Sequence, residues 1–284
     1  MGKKYLLSAV AALALGFVVS CDNTTDDPPN QNKNNSGNGT TITGPRILSK
    51  VTSGTKDIEE YITAVGGALN QAFIRDVASS DELSATITYN ADKITQIKYI
   101  DNKSVHVVNN TYSLGYTSGK LSTITMDQIT MGTTNHSDFS VIYDANGQLY
   151  RIIEKIKMGG STTYTHYKEY KFTFSASNVV KMDQISMLMN GGNPDTSTSS
   201  ITTYAYENYD SKINPYTTLP KEYCMVTGTL FPINFNNIST NNVGKVTIQN
   251  PAGPAISYPK SYAYDSQNYP ISDQAQIKYT YKPL

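Results

Sequence analysis

Val141-Ile142-Tyr143-Asp144-Ala145-Asn146-Gly147-Gln148-Leu149-Tyr150-Arg151-Ile152 is the stretch whose reading decides the fold. Aromatic and β-branched residues at alternate positions, ending at Tyr143, make a strand with one face turned inward. Asn146-Gly147 supplies residues that accept positive φ, as a tight hairpin turn requires. The residues from Leu149 then return antiparallel. Asp144, beside the strand aromatic, reads as a turn residue.

The same unit recurs on both sides. Ile87-Thr88-Tyr89-Asn90-Ala91-Asp92-Lys93-Ile94-Thr95-Gln96-Ile97 and Leu114-Gly115-Tyr116-Thr117-Ser118-Gly119-Lys120-Leu121-Ser122-Thr123-Ile124 share its layout. Weaker copies begin at Phe172, Tyr204 and Tyr262, the last followed by Asp265, another turn residue. After each turn come two apolar residues three apart: Ile94 and Ile97, Leu121 and Ile124, Leu149 and Ile152, Val179 and Met182, Val243 and Val246. A flat strand would put such a pair on opposite faces. A β-bulge that re-aims one of them is the preferred explanation; a strand covered on both faces is the other. A period of about 29 residues over residues 85–284 predicts about seven hairpins, or roughly fourteen strands. The fold class is therefore mainly β, a large antiparallel β-hairpin meander. So many strands curl into a barrel-like roll or fold over as a sandwich, and the roll is preferred.

Three segments break the pattern. Ile58, Ile62, Val65, Leu69, Phe73 and Val77 fall at helical spacing, and Asp57, Glu59 and Glu60 suit a helix start. This favours one N-terminal helix over residues 57–78, packed inside the curl. Gly66-Gly67 opposes it at about 1 kcal/mol per glycine, and a hairpin turning there is the alternative. Residues 214–260 carry six prolines and predict longer loops that interrupt the meander. Residues 190–200 read as a polar loop.

The chain of 284 residues is long enough for one large β domain or two small ones. It has 22 Tyr and no Trp, which suits half-wet sheets better than helix bundles. The 23 basic groups balance 23 acidic ones, so there is no electrostatic footprint for nucleic acid.

The N-terminus carries an address. Lys3 and Lys4 precede an apolar run, Tyr5 to Val19, too short for a membrane span of about 20 residues. Val18-Val19-Ser20-Cys21 resembles the lipobox of bacterial lipoproteins, which implies cleavage before Cys21 and lipid on its sulfur. A secretory signal with a chance cysteine is the competing reading. Residues 1–20 are thus a lipoprotein signal peptide. Residues 21–44 are a tether with Ile42 as its one aliphatic residue, too polar to offset the entropy of ordering. Asp22, Asp26 and Asp27 are similar to the acidic export signals of Bacteroidetes surface lipoproteins; a solubilised linker would look the same. Residues 45–284 form the β-hairpin repeat domain. With Cys21 lipidated, Cys224 has no disulfide partner. It reads as a buried small hydrophobe rather than a nucleophile, since no activating His lies nearby in sequence.

The blocks Tyr206 to Tyr216, Ile238 to Val243 and Tyr264 to Pro270 resemble the C-terminal blocks of a Bacteroidetes lipoprotein family of unknown function. The resemblance covers about two thirds of the chain, chiefly from residue 85 onward, and implies a porin-like β fold. It assigns no activity to any residue, and segment 57–78 departs from its usual hairpin pattern. Porin-like shape does not imply a pore. Lys168-Glu169-Tyr170-Lys171-Phe172-Thr173-Phe174 alternates polar residues where a membrane barrel needs an apolar band, and no terminal aromatic closes the chain.

Chemistry is sparse. His106, His136 and His166 are spaced near the repeat length, but their phases after the repeat aromatics differ, so no metal site is assigned. No P-loop, dinucleotide fingerprint or nucleophile elbow is present, and no cofactor is implied. Tyr150, Tyr164, Tyr167, Tyr170, Tyr204 and Tyr206 are the candidate ligand-binding residues, as rings that stack on sugars or peptides; cross-strand packing is the plainer role. The expected function is a lipid-anchored, surface-exposed, non-enzymatic outer-membrane module that binds a glycan, lipid or protein. A carrier of an apolar ligand inside the curl and a lipid-anchored polysaccharide hydrolase are the alternatives.

Overall fold

Seventeen strands form one antiparallel sheet in a computed structural model of the chain. The structure describes residues 45–64, 66–76, 81–101, 108–130, 132–230 and 232–284. The signal segment 1–20, the tether 21–44 with Cys21, and His106 lie outside the described residues. The strands are β1 (Arg46–Ser53), β2 (Lys56–Thr63), β3 (Leu69–Arg75), β4 (Glu82–Asn90), β5 (Lys93–Asp101), β6 (Val108–Thr117), β7 (Lys120–Thr130), β8 (Thr133–Tyr143) and β9 (Leu149–Lys157). There follow β10 (His166–Ser175), β11 (Asn178–Asn190), β12 (Asn193–Glu207), β13 (Lys245–Gln249), β14 (Ile256–Pro259), β15 (Tyr262–Tyr264), β16 (Pro270–Asp273) and β17 (Ile277–Pro283). Each pairs with its sequence neighbour, and β17 returns to pair with β1. The one break is between β14 and β15. β14 pairs back to β13 and β15 forward to β16, so Lys260-Ser261 carries the chain across a seam that hydrogen bonds do not close.

The repeats fold as their pattern requires. Ser118 and Gly119 take φ of 51° and 77°, and Gly147 takes 77°. Asp144 Oδ1 accepts the backbone N–H groups of Asn146 and Gln148, and Asp265 Oδ1 those of Gln267 and Tyr269, so both are turn residues. The register shifts by one beside Tyr89, Tyr116, Tyr143 and Phe174. At each shift the returning strand holds one extra residue: Thr95, Ser122, Tyr150 and Val180. Both members of each apolar pair therefore point inward, and Ile94, Ile97, Leu121, Ile124, Leu149, Ile152, Val179 and Met182 are all at most 2% exposed. The fifth pair differs: Val243 is buried before β13 begins, and Val246 lies within it.

The helix expected over residues 57–78 is a hairpin. β2 and β3 turn through Gly66 and Gly67, whose φ values of 94° and 86° suit glycine. The helical spacing does not mark one buried face, since Leu69 is fully buried while Ile62 is 38% exposed. The register shifts between Ile62 and Thr63, so Leu69 and Ala72, three apart, are both fully buried. Val65 and Val77 lie outside the described residues. The loop expected at 190–200 is also strand: β11 and β12 run past the sheet's neighbours and turn tightly at Gly191-Gly192, both at positive φ.

Parity separates two rows of side chains one residue apart. Ile87, Ile97, Tyr112, Met126, Ser137 and Ile156 are successive cross-strand partners and all are buried. The adjacent row is Thr86, Lys98, Thr111, Asp127, His136 and Lys157. The sheet is apolar inside and polar outside, the inverse of a wall that faces lipid.

The interior is filled by residues 208–244, which join β12 to β13. This plug holds a 3-10 turn at Pro215–Thr218, the helix α1 (Lys221–Gly228) and a second 3-10 turn at Asn236–Ile238. α1 begins after Pro220 without a side-chain cap and has eight residues, too few to stand alone. Packing holds it. Tyr223 meets Tyr61 of β2 edge to face at 6.2 Å, and Phe235 stands 5.4 Å from Tyr170 and 4.8 Å from Phe172 of β10. Thr227 Oγ1 lies 3.4 Å from the Tyr99 hydroxyl of β5, and the Tyr209 hydroxyl donates to the Val179 carbonyl at 2.6 Å. A helix does sit inside the curl, but it comes from the proline-rich segment.

Candidate functional site

The seam leaves a cleft of about 230 Å³ between the two ends of the plug and the crossing strand. Asn208, Asp210 and Lys212 line it from where the plug leaves β12, and Asn242 from where it re-enters the sheet. Lys260, Tyr262 and Tyr264 form the opposite wall. The backbone there is set by ladder bonds to both sides. Lys260 N–H donates to Gly244 O at 2.8 Å, and Ser261 O accepts Gln274 N–H at 3.0 Å. Gly244 has to be glycine at this point, because a Cβ would meet the Asn208 carbonyl at 2.5 Å.

Asp210 organises the cleft and is used up in doing so. Its Oδ1 accepts the backbone N–H of Lys212 at 2.9 Å and of Asn242 at 3.1 Å. Its Oδ2 accepts the Tyr264 hydroxyl and, at 3.3 Å, the Asn242 amide. That amide also donates to the Ile213 carbonyl at 3.1 Å. Burial and the hydrogen bond to Asp210 push the Tyr264 hydroxyl well above the ordinary tyrosine range. It stays neutral and donates.

The two amines are left over. Lys212 Nζ reaches the Asn268 side-chain oxygen at 2.6 Å, and among the described residues neither it nor Lys260 forms an ion pair. Burial lowers the Lys260 amine below its usual value, which Asp273 partly offsets. The Tyr262 and Tyr264 rings lie 6.2 Å apart at 45°. Amines, aromatic faces and amides around one small concavity can hold a polar or anionic ligand. Asp210 is the one carboxylate among the residues that line the cleft.

The six tyrosines singled out by sequence do not share a face. Tyr170 and Tyr206 are buried in the core at 1% and 2% exposure, and Tyr204 pairs with buried Met182 on the same inner side. Tyr150 and Tyr164 are half-buried on the outer side, and Tyr167 takes an outward position in β10 yet is only 8% exposed. Tyr150 is a bulge residue beside the Arg151 guanidinium. The Tyr164 hydroxyl donates to Asp138 at 2.5 Å with Lys157 over its ring at 4.9 Å. The Tyr167 hydroxyl donates to Glu169 at 2.7 Å. His136 faces outward against Asp127 at 2.7 Å, whereas His166 pairs with inward Ile156, so these two cannot share a metal ion. Cys224 is buried, and burial pushes its thiol up to about 12. Such a thiol is a core residue rather than a nucleophile.

Sequence reasoning passed over Lys212, Lys260 and Tyr262. A signal was present, since the three blocks quoted for the family resemblance meet at this cleft: Asp210, Asn242 and Tyr264 come one from each.

No protein-family model matches the chain, and no curated protein is similar to it. Among solved structures, the fold is similar to a porin-like protein from Bacteroides vulgatus ATCC 8482, with a TM-score of 0.51 and 12% identity. That match covers 84% of this chain and 100% of the other. A porin-like protein from Bacteroides uniformis ATCC 8492 has a TM-score of 0.46 and 15% identity, over 83% and 98% of the two chains. At such identity the likeness to the first is one of fold, and the fold is porin-like β, as the resemblance implied.

Proposed function

We propose that this chain is a non-enzymatic binding module of the outer membrane or cell surface, held there by lipid on Cys21. One observation carries the reading: the sheet is polar outside and filled inside. A domain of that kind has no apolar belt to sit in a bilayer and no lumen to conduct through, so it needs an anchor of another sort. Lys3-Lys4, the apolar run and Val18-Val19-Ser20-Cys21 supply one. The 23 tether residues after Cys21, 22–44, would hold the domain on the order of 25 Å from the surface, and about 75 Å at full stretch.

The alternatives fare worse. An apolar ligand inside the curl would need the volume that Tyr223, Met225, Val226 and Phe235 occupy. A glycoside hydrolase needs two carboxylates facing one cleft, and Asp210 stands alone at the seam with its oxygens engaged.

Metabolic labelling with a clickable fatty acid, followed by membrane fractionation and protease treatment of intact cells, tests the anchor. The wild type should be labelled, membrane-bound and cut from outside, and Cys21→Ala unlabelled and released. Labelling that survives Cys21→Ala would refute the lipid assignment.

A further inference from the structure

We infer that the seam cleft binds a single carboxylated sugar residue, its carboxylate held by the Lys260 and Lys212 amines and its ring laid against Tyr262. The inference rests on the binding-module reading above and names the ligand class for it. Charge is the first ground. Lys260 is half-buried with Asp273 acting on it only from beyond ion-pair distance, Lys212 reaches only a neutral amide oxygen, and among the described residues neither amine has a carboxylate within ion-pair distance. An amine drawn out of water without a directly paired carboxylate is costly, and an incoming carboxylate would offset that cost with charge-assisted hydrogen bonds. Asp210 cannot serve, because two backbone amides, the Asn242 amide and the Tyr264 hydroxyl already claim its oxygens.

Shape and chemistry of the wall select a sugar over a bare anion. The Tyr262 ring is half-buried and tilted against Tyr264 at 6.2 Å, and among the described residues its hydroxyl makes no hydrogen bond, so its polar tip is unclaimed. Aromatic faces with polar tips suit ligands that are apolar on one side and wet on the other. The Asn208 side-chain amide on the facing wall is likewise without a partner among the described residues, and an amide offers both donor and acceptor to hydroxyl groups. The volume of about 230 Å³ is below the roughly 300–1,000 Å³ of drug-sized sites and has room for one sugar ring.

Calorimetric titration of the detergent-solubilised full chain tests this apart from the protein's location, with glucuronate, glucose, acetate and inorganic phosphate as probes. Glucuronate should bind, with glucose, acetate and phosphate each at least about tenfold weaker. Lys260→Gln and Tyr262→Ala should each weaken glucuronate about tenfold or more at unchanged melting temperature, while Lys98→Gln on the outer wall changes nothing. Lys212→Gln is the second variant should Lys260→Gln fail to fold, with the same loss expected. The absence of glucuronate binding, equal binding of acetate or phosphate, or affinity indifferent to these cleft substitutions would overturn the inference. Those results would leave the lipid anchor standing, because fractionation measures it independently.

Discussion

The Phe235 ring stands edge-on to Phe172, with centroids 4.8 Å apart and planes at 76°, and so couples the plug to the barrel wall. Phe235 is fully buried and also touches Tyr170. Phe235→Ala should cost about 3–5 kcal/mol, the usual price of deleting a buried aromatic ring. Gly228→Ala approaches the same contact from the helix side, since the added methyl would meet the ring at 2.8 Å and the Asn234 carbonyl at 3.1 Å. It should destabilise by about 1–3 kcal/mol through overpacking. Denaturant melts measure both, and limited proteolysis should cut Phe235→Ala first within residues 208–244. Wild-type stability in Phe235→Ala would mean the plug does not hold the sheet.

The bulges make a prediction of opposite kind about two deletions in one strand. Ser122 is the extra residue opposite Gly115 and Tyr116. Deleting it leaves Leu121 and Ile124 two apart, still on the inner face of a now regular hairpin. Deleting Thr125 instead brings Ile124 and Met126 side by side and sends one of them outward. The Ser122 deletion should fold and lose less than about 2 kcal/mol, with the Ser122 hydroxyl's contacts to Thr117 and the Gly115 carbonyl and some local twist removed. The Thr125 deletion should lose a buried side chain's worth, about 2–5 kcal/mol or more, and expose apolar surface to a hydrophobic dye. Equal damage from the two would argue against parity as the organising rule.

Glu59 predicts a pH dependence. It faces the plug, and its Oε2 accepts the hydroxyls of Tyr61 at 2.7 Å and Tyr216 at 2.8 Å. Burial raises its carboxyl above the ordinary value of 4.5, although those two hydroxyls pull it back. Below that value the group is protonated whether folded or not. As pH rises the unfolded chain ionises first, so stability falls from about pH 4.5 up to the folded pKa and is level beyond it. Glu59→Gln keeps a side-chain oxygen for both hydroxyls and removes that loss. It should melt with the wild type near pH 4 and higher than the wild type at pH 7. A variant that melts lower at pH 7 would show that the charge is needed.

Most of the wall was legible because its determinants are local. A hairpin needs alternation, a turn of positive φ and an apolar return, all within about a dozen residues. The fourteen strands from β4 to β17 match the number the repeat implied. Residues 57–78 misled for a definable reason. Apolar residues three or four apart satisfy a helix, but in a bulged hairpin they need not share a face: Leu69 is fully buried and Ile62 is 38% exposed. The turn at Gly66-Gly67 was the local clue that told the two apart. α1 was invisible in turn, since a helix of eight residues buried on most sides shows no amphipathic stripe.

The sequence by itself determined the turns of the repeated hairpins and the inward apolar pair after four of them, because backbone sterics and side-chain parity act over neighbouring residues. The proposed anchor rests likewise on a local pattern, Lys3-Lys4 to Cys21. Tertiary structure decided what fills the roll and where a ligand could sit. The Tyr264 hydroxyl meets Asp210 across 54 residues, and Lys260 faces Lys212 only because the plug returns to the sheet beside the seam. Such meetings depend on the packing of a curled wall around its plug, and no local period encodes them.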